Sequence, residues 1–241
     1  MLASIIIFAL VYAAIISEKI NKTIAALLGA VAVIVFHLVP YKVAIEAVDL
    51  NVIFLLVGMM TCVYILSKTG FFEWTAISIA KLMRGNAIAI LILFLALTSL
   101  FSAFLDNVTT IILLAPVTIL ITQILEISAA PFLILEAIVS NIGGTSTLIG
   151  DPPNIIIGSK ADLSFNDFLI NLGPIVIVIF LVFIITNFLI FKKRLKVPQL
   201  VRARVLGAIP HLAITDKKNM IRSLIIFGFV ILGFFLHSFF C

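Results

Sequence analysis

Long uncharged, apolar runs alternate along the chain with short polar punctuation, and the charges mark where each run ends. Residues 1–17 carry no charge before Glu18, Lys19 and Lys22; residues 23–41 carry none before Lys42, and residues 50–67 none before Lys68. A membrane-spanning helix needs about 20 apolar residues, within a range of about 17–25, so these runs predict crossing helices. The stretch 73–84 differs. It mixes Ile77, Ala80 and Leu82 with Lys81 and Arg84, which predicts an amphipathic helix lying along the membrane surface. Two more apolar runs, 86–105 and 107–125, meet at Asp106 and Asn107. They read either as two crossings or as the arms of a re-entrant hairpin with that pair at its tip. Region 131–159 is apolar but broken by glycine and proline; 168–191 and 223–241 are uncharged again.

Composition confirms which solvent these runs meet. The chain of 241 residues is 63% hydrophobic and 11% charged, against about 25% charged in a typical soluble domain. That excludes an ordinary soluble enzyme, a nucleic-acid-binding domain and a disordered protein. The implied fold class is an all-α integral membrane protein, a multi-span helical bundle in contact with lipid. The net charge of +5 is concentrated in one loop, 192–222, which holds Lys192, Lys193, Arg194, Lys196, Arg202, Arg204, Lys217, Lys218 and Arg222. The positive-inside rule places that loop in the cytoplasm and the chain in the cell membrane. Counting crossings backwards leaves Lys42, Lys160 and the N-terminus outside. No basic segment precedes the first apolar run, so a cleavable signal is not expected. Cys62 and Cys241 have neither metal-ligand nor disulfide-framework spacing.

The segment Arg222-Ser-Leu-Ile-Ile-Phe-Gly228 is similar to Ala3-Ser-Ile-Ile-Ile-Phe-Ala9, yet it starts a helix of opposite direction. Weak internal similarity with inverted topology is a mark of secondary transporters. Residues 223–241 are therefore expected to be the first helix of a truncated second repeat, and 1–191 the first repeat.

Two places break the apolar pattern. In the first, Asp106, Asn107, Thr109 and Thr110 interrupt what would otherwise be about forty apolar residues. A carboxylate near the bilayer centre costs about 2.5–3.5 kcal/mol on insertion scales, so it should face protein, water or an ion. The pair also reads as the N-cap of a helix starting at Val108. The readings are compatible, because a helix N-terminus at membrane depth favours an anion. The second break runs from Ser140 and Asn141 through Gly143, Gly144 and Thr145 to Asp151, Pro152, Pro153 and Asn154. Glycines weaken a helix and the proline pair cannot continue one. Irregular backbone is tolerated at this depth only where it is buried in protein or lines a cavity. An extramembrane loop is the competing reading, but Pro131–Ile142 and Ile155–Ser159 are each too short to span alone. Glu126 and Glu136 are expected at the cytoplasmic ends of their segments. His37, His211 and His237 lie too far apart to suggest a metal site. Pro116 is expected to kink its helix. No P-loop and no nucleophile–base pair is present, so the chain is not expected to be an enzyme or to hold an organic cofactor.

The strings Phe104-Leu-Asp-Asn-Val-Thr-Thr110 and Ser140-Asn-Ile-Gly-Gly-Thr-Ser-Thr-Leu-Ile-Gly-Asp-Pro-Pro-Asn154 resemble the ion transporter superfamily. The branch it resembles contains arsenite permeases, NhaD-type sodium–proton antiporters, citrate transporters and the melanosomal P protein. The resemblance implies scaffold helices over 1–67, an interfacial helix at 73–84, a re-entrant hairpin at 86–125, a broken helix at 131–159 and a helix at 168–191. It implies one inverted-repeat half plus the start of the other. It also implies that Asp106, Asn107, Thr109, Thr110, Ser140, Asn141, Gly143, Gly144, Thr145, Asp151 and Asn154 form half of a substrate and ion site. A sodium ion would sit at Asn107, Asn141 and Gly143, with sodium or a proton as coupling ion. The function implied is alternating-access secondary transport of an ion or small anion. The alternatives are the membrane subunit of an ATPase-driven arsenite pump, docking through loop 192–222, and a half-protein that does not transport. The partners implied are the lipid bilayer, a small ion, and a missing second half or a second copy, with no nucleic acid.

Overall fold

A computed structural model describes residues 2–195 and 197–240, the last four for their backbone alone. Lys196 of the basic loop, Cys241 and the side chain of His237 lie outside the described residues. Every element among the described residues is helical, and the protein is an all-α membrane protein. Four stretches are long and apolar enough to cross a bilayer: Tyr41–Lys68, Asn107–Ile124, Phe165–Phe191 and Lys217–Leu236.

The chain divides into two compact units, up to Ile53 and from Phe54 onwards. In the first unit, α1 (Leu2–Ile16) packs on α2 (Lys22–Val35), and the short α3 (Tyr41–Glu46) follows. Asn21 caps α2 by accepting the Thr23 amide at 2.9 Å. Gly29 lies against Val11, where a Cβ would overlap the valine methyl. In lipid, helices gain little from mutual hydrophobicity and associate through such close packing.

The second unit takes up α4 (Leu50–Lys68) from Phe54 and adds α5 (Phe71–Leu82), α6 (Ala87–Ser102), α7 (Asn107–Ile124), α8 (Ala130–Gly144), α9 (Pro152–Ala161), α10 (Phe165–Phe191), α11 (Gln199–Leu206) and α12 (Lys217–Phe240). Its centre is the α6–α7 hairpin with α8 laid against both arms. Ile90, Leu91, Phe94 and Leu95 of α6, Val117 and Ile121 of α7, and Phe132 and Val139 of α8 form one buried cluster. α5 presents Phe72, Ala76 and Ala80, spaced four apart on one helical face, as its buried side. It packs on both arms, and the Phe72 ring meets Phe101 edge-on at 5.0 Å. α10 begins at Phe165, three residues before the first residue of its uncharged run. A Ser164–Asp167 capping box starts it, and a search for charge boundaries reads that aspartate as an end.

The basic stretch 192–222 is structured along most of its length and folds under the hairpin base. Val197, Val201 and Val205 join the hairpin's own core. Arg204 pairs with Glu126 at 2.5 Å, and the Lys81 ammonium donates to the Ala208 carbonyl at 3.0 Å. Gly85, with φ of +68°, sits where a Cβ would press on the Arg202 backbone. The Thr215 amide and hydroxyl then donate to the carbonyls of Thr69 and Lys68. Lys217, Lys218 and Arg222 belong to the first turns of α12, so that helix starts six residues before 223.

Candidate functional site

At the hairpin tip the chain leaves α6 at Ser102 and re-enters helix at Asn107. Asp106 is the N-cap of α7, with φ −64° and ψ 151°. Its Oδ1 accepts the Thr109 amide at 2.9 Å, and its Oδ2 accepts the Thr109 hydroxyl. The cap reading and the site reading therefore fall on the same residue. Asp106 ties its own helix start and stays half-exposed.

The break in the following helix is shorter than the sequence suggests: Ser140, Asn141, Gly143 and Gly144 are still helical, and the irregular stretch runs over 145–151. α8 ends at Gly144, and α9 restarts at Pro152 with Asp151 as its N-cap residue. Between them the polar side chains satisfy the loose backbone. Asn154 donates to the carbonyls of Gly144 at 3.1 Å and Thr147 at 2.9 Å. The Thr147 hydroxyl accepts the Gly150 amide at 3.1 Å and donates to the Ala103 carbonyl of the hairpin tip. Thr145 and Ser146 return their hydroxyls to the Asn141 and Gly143 carbonyls. This is what membrane-depth irregular backbone requires: each freed group needs a protein partner.

The two breaks meet. The Asn107 amide donates to Oδ1 of Asn141 at 2.8 Å, bridging residues 34 apart in sequence. Asp106 and Asp151 lie close enough for their charges to interact. Asn141 also donates to Ala137 O at 2.8 Å. Asn141 and Thr145 are exposed, and Asp106, Asn107, Thr109, Asp151 and Asn154 are partly so. These side chains can reach a ligand.

The remaining predicted residues are turned inwards. Ser140 is buried; its carbonyl accepts the Ser102 hydroxyl at 2.6 Å, and its own hydroxyl donates to Ala137 O at 3.0 Å. Thr110 is fully buried and its hydroxyl has no partner. Gly143 lets α8 touch α6, because a Cβ there would overlap the Ser99 backbone. A Cβ on Gly144 would come within 2.8 Å of the Asp151 carboxylate. These two glycines act through close approach of backbones.

For a sodium ion, the oxygens of Asn107, Asn141 and Gly143 are hard neutral donors of the right class. Two of them are already engaged: Asn141 Oδ1 by Asn107, and the Gly143 carbonyl by Ser146. An ion could use this set only by displacing these bonds. On the α4 side of the tip, a groove of about 740 Å³ is lined by Met60, Tyr64, Lys68, Glu73 and Thr109 among others. Thr109 thus faces open space on one side and Asp106 on the other.

Glu136 departs from its expected position. It is 0% exposed, inside the hairpin–α8 core, and Oε1 accepts the Thr118 hydroxyl at 2.8 Å. Its place was hidden in the sequence because one acidic residue in an apolar run looks the same at a helix end and at a helix interface. Glu126 is exposed and paired with Arg204.

Compared with known proteins, residues 12–240 match the family model described as citrate transporter. A 46 kDa membrane protein of Mycobacterium leprae is 42% identical over 238 residues, 97% of this chain and 56% of that protein. An uncharacterized transporter of Mycobacterium tuberculosis is 46% identical over 185 residues, 75% of this chain and 43% of its own length. The human P protein is 43% identical over 162 residues, 65% of this chain and 19% of its own length. The chain spans about half the length of the mycobacterial relatives. No solved structure matches it.

Proposed function

We propose that this chain, which belongs to the citrate transporter family, supplies one half of a secondary carrier whose substrate binds where the two helix breaks meet. The observation that carries this reading is the 2.8 Å bridge from Asn107 to Asn141. It joins two interruptions that lipid tolerates only where they are buried in protein or line a cavity. The substrate class is a small carboxylate anion such as citrate. An anion at this site meets Asp106 and Asp151 as well as the amides, so it travels with a cation or protons that offset the repulsion. Asp106 is the charge that would pair with that cation.

Half the site is exposed because its complement lies elsewhere. Val108, Ile134 and Ile138 stand exposed on the helices that carry Asn107 and Asn141, and the mycobacterial relatives are about twice as long. A second half of inverted topology, or a second copy of this chain, would cover that face. The reading as a docking subunit through 192–222 is weaker, since part of that stretch is already buried against the hairpin base. Alternating access would then move the hairpin and broken helix against the rest of the bundle, with the cell membrane as the site of action.

Uptake of labelled citrate into proteoliposomes tests this, with magnesium or sodium present and a pH gradient imposed. The chain would be reconstituted alone and together with the segment that completes the length of its relatives. Uptake by the completed protein should fall at least tenfold in Asn141→Ala and lose its pH dependence in Asp106→Asn. Unchanged uptake in both would overturn the site.

A further inference from the structure

We propose that Glu136, held by Thr118 inside the hairpin–broken-helix core, is a proton-binding site distinct from the Asn107–Asn141 bridge, loaded when α7 and α8 are closed on it. Glu136 is 0% exposed; Oε1 accepts the Thr118 hydroxyl at 2.8 Å, and Oε2 is buried with no partner at all. Among the described residues no cation lies within salt-bridge distance of it. The elements packed on α8 are α6, α7 and α10. α6 and α7 carry no titratable residue, and the only one in α10 is Asp167, which is used by the capping box. The carboxylate therefore has no counter-charge, and the interior offers it none.

The donor set selects the ligand. A sodium or magnesium ion needs about six oxygens, whereas this carboxylate has one threonine hydroxyl as its hydrogen-bond partner. The neighbouring hydroxyls are spent: Thr122 donates to Thr118 O, and Ser140 to Ala137 O. A proton needs one free oxygen, and Oε2 is free. Binding forms an O–H bond at Oε2 and neutralises the carboxylate; release to water restores it, with nothing else consumed.

Packing alone does not call for an acid here, because an apolar side chain would fill the volume without leaving a buried oxygen unpaired. The position relates it to the helix breaks. Glu136 precedes Asn141 by five residues on α8, and Thr118 follows Asn107 by eleven on α7. The same two helices carry the amide bridge and the acid, so a charge appearing at Glu136 would weaken the contact that holds the bridge closed. The proposal concerns this acid alone and does not depend on what binds at the bridge.

The test is infrared spectroscopy of the purified chain in lipid nanodiscs, read at the carboxylic-acid C=O stretch. At neutral pH a band should be present that disappears in Glu136→Gln, moves in Thr118→Val as its hydrogen bond is lost, and converts to carboxylate on alkaline titration while the helices stay folded. No loss of a band in a folded Glu136→Gln protein overturns the proposal. So does a band that survives to the pH of unfolding, which would make the acid a fixed structural group. Should Glu136→Gln not fold, an unmoved band in Thr118→Val overturns it. Asn141→Ala should leave the band in place. A failure of citrate uptake there is thereby separated from a failure here.

Discussion

At its base the hairpin is closed by apolar side chains: Val197, Val201 and Val205 of the basic stretch share one buried cluster with Ile121, Leu125 and Ala87. At its tip, about one helix length away, Asp106, Asn107 and Thr109 stay partly exposed and bond to one another or to the broken helix. Apolar burial covers the base, whereas the polar groups of the tip stay partly exposed. The difference separates what holds the hairpin from what it presents. A base sealed by packing would let the tip, as the proposed binding site, exchange its bonds for a ligand's without unfolding the arms.

Four substitutions would break or sharpen that contrast. Val205→Asp has the largest expected effect. It buries an uncompensated charge at the base, for which about 3–5 kcal/mol is the usual loss. Thermal unfolding in detergent should show the hairpin opening from below. A stable Val205→Asp protein would mean the base is wet. Gly143→Ala comes next: its Cβ overlaps the Ser99 backbone, and overpacking of this kind costs about 1–3 kcal/mol. Stability measured by the same melt should fall, with α6 and α8 forced apart.

Asn107→Ala should cost less stability, about 1 kcal/mol for one polar hydrogen bond, although transport would suffer more. A double-mutant cycle with Asn141→Ala measures the bridge directly, and zero coupling would remove it. Glu126→Gln is the smallest. The Arg204–Glu126 pair has side chains 54% and 60% exposed, so it should contribute about 0–1 kcal/mol and less in high salt. A large effect there would show that charge, rather than valine packing, holds the strap to the base.

Much of this was legible in the order of residues. The uncharged runs marked α6 and α7 to within three residues of their limits, whereas in the run 23–41 α2 stops at Val35. The chemistry of Asp106, Gly144 and Pro152 marked both breaks, because capping, glycine flexibility and proline's missing amide act locally. The start of α10 was misplaced because Asp167 serves as a cap residue rather than a boundary.

What acts at a distance was not legible. Which residues of the two breaks touch depends on the crossing of α6, α7 and α8, and that crossing depends on the absent Cβ of Gly143 against a backbone 44 residues away. Ser140 and Thr110 share motifs with Asn141 and Thr109 but face inwards, because helical rotation divides a motif between opposite sides. The basic stretch read as a free loop because its charges outnumber Val197, Val201 and Val205, although their four-residue spacing is that of one helical face. Only their docking on the hairpin base shows that they are core. Sequence alone determined that this chain is helical, lies in lipid and breaks twice, since those follow from local hydrogen bonding and transfer to the bilayer. The tertiary structure decided that the breaks meet, that Glu136 is enclosed and that the base is sealed, since each depends on helices packing across tens of residues.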